Sequence, residues 1–371
     1  MKTLANRFRN MFRKRAIQGF LAVGATCFFW ILLSTHEDCA AKQLEIPKNG
    51  AYTGAYVDFG EGEDELTVEA LEKFEKLVGK HQAIIACGAF WGEPTEFPIR
   101  LIRIIDRYGA VPLLFWSPWD KPYTEMKKPD RFNLNSIVKG AWDAYIDRWA
   151  ENARAWGKPL LVSWGLEMNG TWFPWSGYFY NKPIKKGEKP EPHAEGPELY
   201  KAAYRHVVDR VRNKGASNIQ WIFHVNHSPL PIAKWNKFAA YYPGDAYVDW
   251  LGMSVYGMIF WDQGWTAFDP IYLDAYRELA ALNPIKPIII AEWGVGEFPA
   301  SGDKAAFIQQ AFDTMKLQSP RVKAAVYWHE RWQNEDGSYS NLRISSSPAA
   351  LETYRKNVAQ DYWIGYPIFT P

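Results

Sequence analysis

From Gly54 onward the chain alternates short, nearly continuous apolar runs with longer stretches of helical periodicity. The runs are GAYVDFG from Gly54, AIIACGAFWG from Ala83, AVPLLFWSPW from Ala110 and PLLVSWGLE from Pro159. IQWIFHVNH from Ile219, YVDWLGMSVYG from Tyr247, KPIIIAEWG from Lys286 and VKAAVYWHE from Val322 complete the set. Runs that are apolar at successive positions, not alternate ones, predict parallel strands covered on both faces.

The intervening stretches predict helices. ELTVEALEKFEKLVGK from Glu65 would place Leu66, Ala70, Phe74 and Leu77 on one apolar face. PIRLIRIIDRYG from Pro98 opens with Pro and closes with Gly, the residues favoured at a helix start and just past its end. SIVKGAWDAYIDRWAENARAWGKP from Ser136, GPELYKAAYRHVVDRVRNKG from Gly196 and SGDKAAFIQQAFDTMKLQ from Ser301 repeat the theme. Strand then helix, eight times in one body over residues 44–371, predicts an α/β fold of the (β/α)8 TIM-barrel type. A doubly wound sheet is the alternative. It would normally carry a glycine-rich phosphate loop after an early strand, and neither GxGxxG nor GxxxxGKS/T occurs.

In such barrels the working groups gather at the C-terminal ends of the strands. Those ends read DFG, AFWG, WSPWD, GLEMNGTW, HVNH, SVYG, AEWG and YWHERW, almost all pairing an aromatic with a polar or ionisable group. The opposite ends (GKHQ, YGAV, GKPL, NIQ, IKP) are plain. That asymmetry locates the chemistry.

Two glutamates stand at these ends, Glu167 after the fourth run and Glu292 after the seventh. Strand alternation would put Glu292 on one face with Ile288 and Ile290, and Glu167 with Ser163 and Gly165, so that both enter the mouth. Glycoside hydrolysis needs such a pair: one carboxyl protonates the leaving oxygen while the other stays ionised. Trp164, Trp172 and Trp175 would strip water from Glu167 and raise its pKa toward the acid's role. A rim salt bridge is the alternative for either glutamate alone; Asn169 and Tyr256 nearby argue for the working pair.

Composition supports a neutral polymer as partner. The chain holds 19 Trp, 20 Tyr and 21 Phe, enough to furnish stacking surfaces for flat sugar faces as well as a core. Its net charge of +2 comes from the start: Lys2, Arg7, Arg9, Arg13, Lys14 and Arg15. Without those six, 37 basic residues face 41 acidic ones, and no basic stripe interleaved with aromatics suggests nucleic acid. After the basic flank, residues 16–35 carry no charge, the length of a bilayer-spanning helix, with the flank predicting a cytoplasmic N-terminus. Residues 1–43 therefore read as an uncleaved membrane anchor and linker, with the body exported; Cys39–Ala41 offer a signal-cleavage site as the alternative. Cys27, Cys39 and Cys87 form no CxxC pair, so neither a zinc site nor a disulfide framework is indicated.

GLEMNGTWFPW together with IIIAEWG resembles glycoside hydrolase family 26, in the clan of retaining barrel hydrolases. GAYVDFG, the FWG end of the second run and SVYG on the sixth resemble that family too. The resemblance implies Glu167 as general acid/base and Glu292 as nucleophile, with Tyr256 holding the nucleophile ionised. It implies Trp328 as the floor beneath the cleaved sugar and Trp172 and Trp175 as walls of neighbouring subsites. Trp91 and Asn169 join them as candidate substrate contacts. Mannanases of the family usually have His just before the acid/base, where this chain has Leu166. A β-1,4-mannan-type polymer is the expected substrate, with mixed-linkage β-glucan close behind; no cofactor or metal is required.

HVNH, His224 to His227, brings two potential metal ligands close in sequence, but residues three apart on a strand face opposite ways. His224 and Asn226 share a face and are candidate contacts to substrate hydroxyls. Asp58, Glu93, Glu297 and Glu330 at strand ends are expected to order loops. Trp261 and Trp265 are candidate platforms over the cleft, and the charged, Pro-rich 181–198 an exposed loop. Two other classes fit: a non-catalytic glycan-binding protein, and a membrane-tethered auxiliary of exopolysaccharide synthesis or export.

Overall fold

The computed structural model describes residues 41–60, 66–92, 96–120, 129–181 and 195–371. Eight strands run in chain order: β1 (Ala51–Val57), β2 (Ile84–Phe90), β3 (Val111–Ser117), β4 (Leu160–Trp164), β5 (Ile219–Asn226), β6 (Trp250–Tyr256), β7 (Ile288–Gly294) and β8 (Val322–His329). Each pairs in parallel with the next, and β8 returns to pair with β1, closing an eight-stranded barrel. All eight expected strands are present, with ends shifted by a few residues.

The helices are α1 (Val68–Val78), α2 (Ile99–Tyr108), α3 (Leu134–Val138), α4 (Asp143–Trp156), α5 (Glu195–Asn213), α6 (Phe238–Tyr241), α7 (Phe268–Ala280), α8 (Lys304–Leu317) and α9 (Pro348–Val358). Three departures from the expected pattern have local causes. The stretch from Ser136 is two helices, α3 and α4, because Asn133 caps the first and the chain turns through Gly140 before α4. On α1 the buried residues are Leu71, Phe74 and Val78; Ala70 and Leu77 lie beside that face and Leu66 precedes the helix. The fifth unit has no full helix between its strands, only α6. A hairpin follows β8, formed by β9 (Arg331–Gln333) and β10 (Tyr339–Asn341), and β11 (Trp363–Ile364) pairs beside β1.

Register shows which residues share the barrel's interior. Gly252 of β6 pairs with His224 and Ile289, and a Cβ there would run into Ile222 and Ile289, so the backbone is packed close at this layer. The outward faces carry much of the aromatic content. Trp116 stacks on Trp149 at 3.9 Å, Trp164 packs against Tyr200 and Tyr204, and Trp293 meets Phe312 edge-on at 5.4 Å. Among the described residues nine tryptophans are less than 2% exposed, so the strand-to-helix layer absorbs rings that composition alone would offer to a sugar.

The expected anchor at residues 16–35 and most of the linker lie outside the described residues, as do Glu93 and 182–194. No helix among the described residues is long and apolar enough to cross a membrane.

Candidate active site

The C-terminal ends of β4 to β8 converge on two carboxylates. Glu167 is not on β4, which ends three residues earlier at Trp164. It sits in a tight turn with its own φ at 52°, a left-handed conformation that costs a non-glycine residue on the order of 1–3 kcal/mol. The turn is pinned on both sides: Glu167 N–H donates to the His224 carbonyl at 2.8 Å, and Gly170 N–H donates to the Glu167 carbonyl at 3.0 Å. Strand alternation therefore does not aim this side chain; the turn does. Gly170 leaves room for the Trp172 ring, which lies 2.4 Å from where a Cβ would be.

That packing places Trp172 Nε1 2.6 Å from Glu167 Oε2, donating to it. Asn226 Nδ2 donates to the other oxygen at 3.0 Å. Asn169 braces the arrangement: its amide nitrogen donates to the Asn226 carbonyl at 2.8 Å and its amide oxygen accepts from Asn226 N–H at 2.9 Å. Glu167 is 6% exposed. Burial pushes its carboxyl above the ordinary range, against hydrogen bonds from Ser254, Asn226 and Trp172 that pull the other way.

Glu292 reaches the interior by another device. Ile290 pairs with Met253, but Glu292 pairs with the next β6 residue, Ser254, leaving Ala291 as a bulge. Gly252 and Ser254 share one face of β6, so their partners Ile289 and Glu292 share one face of β7. The expected companions Ile288 and Ile290 are thus replaced by Ile289. Tyr256, two residues beyond Ser254, donates its phenol to Glu292 Oε2 at 2.8 Å. Burial, then the carboxylates of Glu292, Glu167 and Glu330, push that phenol well above its ordinary pKa, so it stays a donor. Tyr256 feels both candidate carboxylates.

Beneath them runs a short polar line. His224 Nδ1 lies 3.1 Å from Ser163 Oγ, and its Nε2 lies 2.8 Å from Ser254 Oγ. Burial pulls the imidazole down to about 3, so it is neutral. With Ser254 donating to Glu167, the consistent assignment is a proton on Nε2 and Ser163 donating to Nδ1. His224, 1% exposed, is a support under the carboxylates and not a surface for substrate. Among the described residues no three His, Cys, Asp or Glu side chains are grouped to hold a metal ion.

Trp328 lies on the opposite wall. It stacks on Tyr56 with centroids 3.9 Å apart and planes 4° apart, and meets Tyr256 edge-on at 6.5 Å. Its Nε1 donates to Glu330 Oε2 at 2.6 Å. Glu330 is 5% exposed, and burial pushes its carboxyl up to about 7. Tyr56 and the Glu330–Trp328 bond were not singled out from the sequence; the β1–β8 closure that pairs Tyr56 with Trp328 is the signal that reveals them.

The remaining candidates divide. Trp91 is fully buried against Trp116, Phe132, Tyr145 and Trp164, and offers nothing to a substrate. Trp175, 1% exposed, donates Nε1 to the Leu166 carbonyl at 2.7 Å and stacks on Phe173, so it supports the Glu167 loop instead of lining a subsite. Trp261 is 62% exposed, in the loop after β6, and donates to Asp336 of the β9–β10 hairpin, while Ser340 Oγ donates to the Ile259 carbonyl at 2.6 Å. Those two loops are tied into one wall of the rim. Trp265 packs against Phe307, in the core.

A buried carboxyl biased toward its protonated form and a second carboxyl held by a phenol, near an aromatic wall, are the kind of pair that can act as acid and nucleophile toward an acetal. Comparison with known proteins places the chain in a family of glycoside hydrolases. Residues 119–316 match the model of glycosyl hydrolase family 26. Endoglucanase H of Acetivibrio thermocellus is 31% identical over 78% of this chain, and a mannan endo-1,4-beta-mannosidase of Bacillus subtilis is 30% identical over 44%. The matches span 29% and 38% of those relatives' own lengths. The catalytic domain of the Bacillus sp. JAMB-750 GH26 endo-beta-1,4-mannanase superposes with a TM-score of 0.60 at 18% identity, covering 85% of this chain and 87% of that one. The family match takes in β4 through β7, the strands that present Glu167 and Glu292, and the chain belongs to glycosyl hydrolase family 26.

Proposed function

We propose that this chain is a retaining endo-β-glycanase, with Glu167 as general acid/base and Glu292 as nucleophile. In the first step Glu292 attacks the anomeric carbon as the Glu167 proton passes to the leaving oxygen, giving a glycosyl ester. In the second, Glu167 takes a proton from water, which attacks the ester carbon and releases the sugar with its configuration kept. The observation that carries the reading is the contrast in environment: burial holds Glu167 toward its protonated form, while Tyr256 donates to Glu292. Trp328 on Tyr56 is the sugar's floor, and Trp172 lies where the leaving group would pass.

A β-1,4-mannan-type polymer is the first substrate of this proposal. Mixed-linkage β-glucan is the second, favoured by Leu166, a nearly buried apolar residue beside Glu167, and by the likeness to an endoglucanase over most of the chain. The body is proposed to work outside the cytoplasm, held by residues 16–35. The test is reducing-sugar release from β-mannan, mixed-linkage glucan and xylan by the wild-type chain beside Glu167→Ala and Glu292→Ala. Both variants are expected to lose at least ~10³-fold in rate on the preferred polymer. Near-normal turnover by either overturns the assignment.

A further inference from the structure

The wall outside β3 holds a cavity of about 570 Å³ between α2 and α4. It is lined by Arg103 of α2, by Arg148, Trp149, Asn152 and Trp156 of α4, and by Glu96 ahead of α2. None of these is a residue of the mouth.

The floor is rigid. Trp149 stacks on Trp116 of β3 at 3.9 Å and 15°, and Phe97 closes on it edge-on at 5.2 Å. The walls are rich in donors without partners. Among the described residues the indole N–H groups of Trp149 and Trp156 are buried and make no hydrogen bond. Arg103 and Arg148 are exposed, and among the described residues neither guanidinium has an ion pair or hydrogen bond. On neighbouring α5, by contrast, Arg210 is satisfied by Asp143 and Asp147. Against two guanidinium groups stands a single lining carboxylate, Glu96.

We propose that this groove is a second, non-catalytic glycan site that takes a carboxylate-bearing (uronate) chain. An arginine's planar fork matches a carboxylate in two parallel bonds, and two arginines flanking one groove suit carboxylates carried on successive sugars. The half-buried Trp156 ring offers an apolar face to a pyranose. The volume falls in the range of small-ligand sites and holds a short oligosaccharide. An acidic peptide fits less well. Its backbone N–H groups need acceptors, and the lining side chains offer few: the Glu96 carboxylate, the Asn152 amide oxygen and the Tyr145 hydroxyl, which already accepts from Trp116 Nε1 at 3.0 Å, whereas a sugar hydroxyl can turn to accept.

The test is affinity electrophoresis and titration calorimetry of the full-length chain with soluble β-1,4-polymannuronate. Neutral β-1,4-mannan, which differs only in lacking the carboxylate at C6, and poly-glutamate serve as comparisons. Arg103→Glu/Arg148→Glu is expected to weaken polymannuronate binding at least tenfold and to leave mannan retention and hydrolysis unchanged. Arg103→Gln/Arg148→Gln, which keeps size and polarity, should weaken it to an intermediate degree, and matched melting curves establish that both variants are folded. Equal polymannuronate binding by wild type and the charge-reversed variant overturns the proposal, as does no binding by wild type. Poly-glutamate binding as tight as polymannuronate and equally lost in the variant also overturns it, in favour of a protein partner. Mannan or glucan hydrolysis is scored separately, so failure of this site and failure of the glycanase reading are distinguishable.

Discussion

Trp172 donates its indole N–H to the buried carboxyl of Glu167, the proposed acid, at 2.6 Å. The bond favours the ionised form, opposing the burial that favours the protonated one. Trp172→Phe keeps most of the ring and removes the donor. Glu167 should then hold its proton to higher pH, moving the alkaline limb of kcat/KM upward. A pH–rate profile of variant and wild type on the preferred polymer checks the sign; a downward shift would exclude Glu167 as the acid.

Tyr256 holds one oxygen of Glu292 from the adjacent strand. Tyr256→Phe should lower kcat by ~10²-fold with KM changed by less than about threefold, because the lost bond acts on the reacting carboxylate and not on remote substrate contacts. Steady-state kinetics separate the two parameters.

Glu330 links site geometry to stability. Its carboxyl is raised to about 7 by burial, above an ordinary carboxylate. A raised acid stabilises the fold fully below its unfolded pKa, and that contribution is lost as pH rises through the folded value. Melting temperature should therefore fall between about pH 4.5 and 8, with a component of roughly 3 kcal/mol traceable to this residue. In Glu330→Gln that component should vanish while Trp328 keeps an acceptor. Thermal unfolding of both proteins across this range makes the comparison.

Leu166 precedes Glu167 and is 6% exposed. Leu166→His introduces a polar contact at the edge of the cleft, and the ratio of kcat/KM on mannan to that on mixed-linkage glucan should rise about tenfold. An unchanged ratio would remove this position from the determinants of substrate choice.

The barrel was legible in the sequence because its strands are buried on both faces and read as continuous apolar runs, which survive errors of a residue or two at their ends. The aim of the two glutamates was not legible in the same way. Glu167 lies three residues past β4 in a left-handed turn, and Glu292 follows a one-residue bulge, so simple alternation does not describe how either side chain reaches the mouth. Trp91, Trp175 and His224 look, in one dimension, like Trp172 and Trp328. Only the packing of Trp116 and Trp164 around Trp91, and of serines on both nitrogens of His224, shows them to be supports. Tyr56 was hidden because its partner Trp328 is distant in the chain and adjacent only through barrel closure.

The assignment of Glu292 as nucleophile is tested most directly by trapping. The wild-type chain incubated with an activated 2-deoxy-2-fluoro-β-glycoside of its preferred sugar should accumulate a glycosyl ester, because the fluorine slows both oxocarbenium-like steps while the activated leaving group restores only the first. Peptide mass spectrometry is expected to find one added sugar on the peptide containing Glu292, with the same peptide unlabelled in Glu292→Ala. An adduct on any other residue, or an α-configured product by proton NMR in the first minutes of polymer hydrolysis, would contradict the double-displacement account.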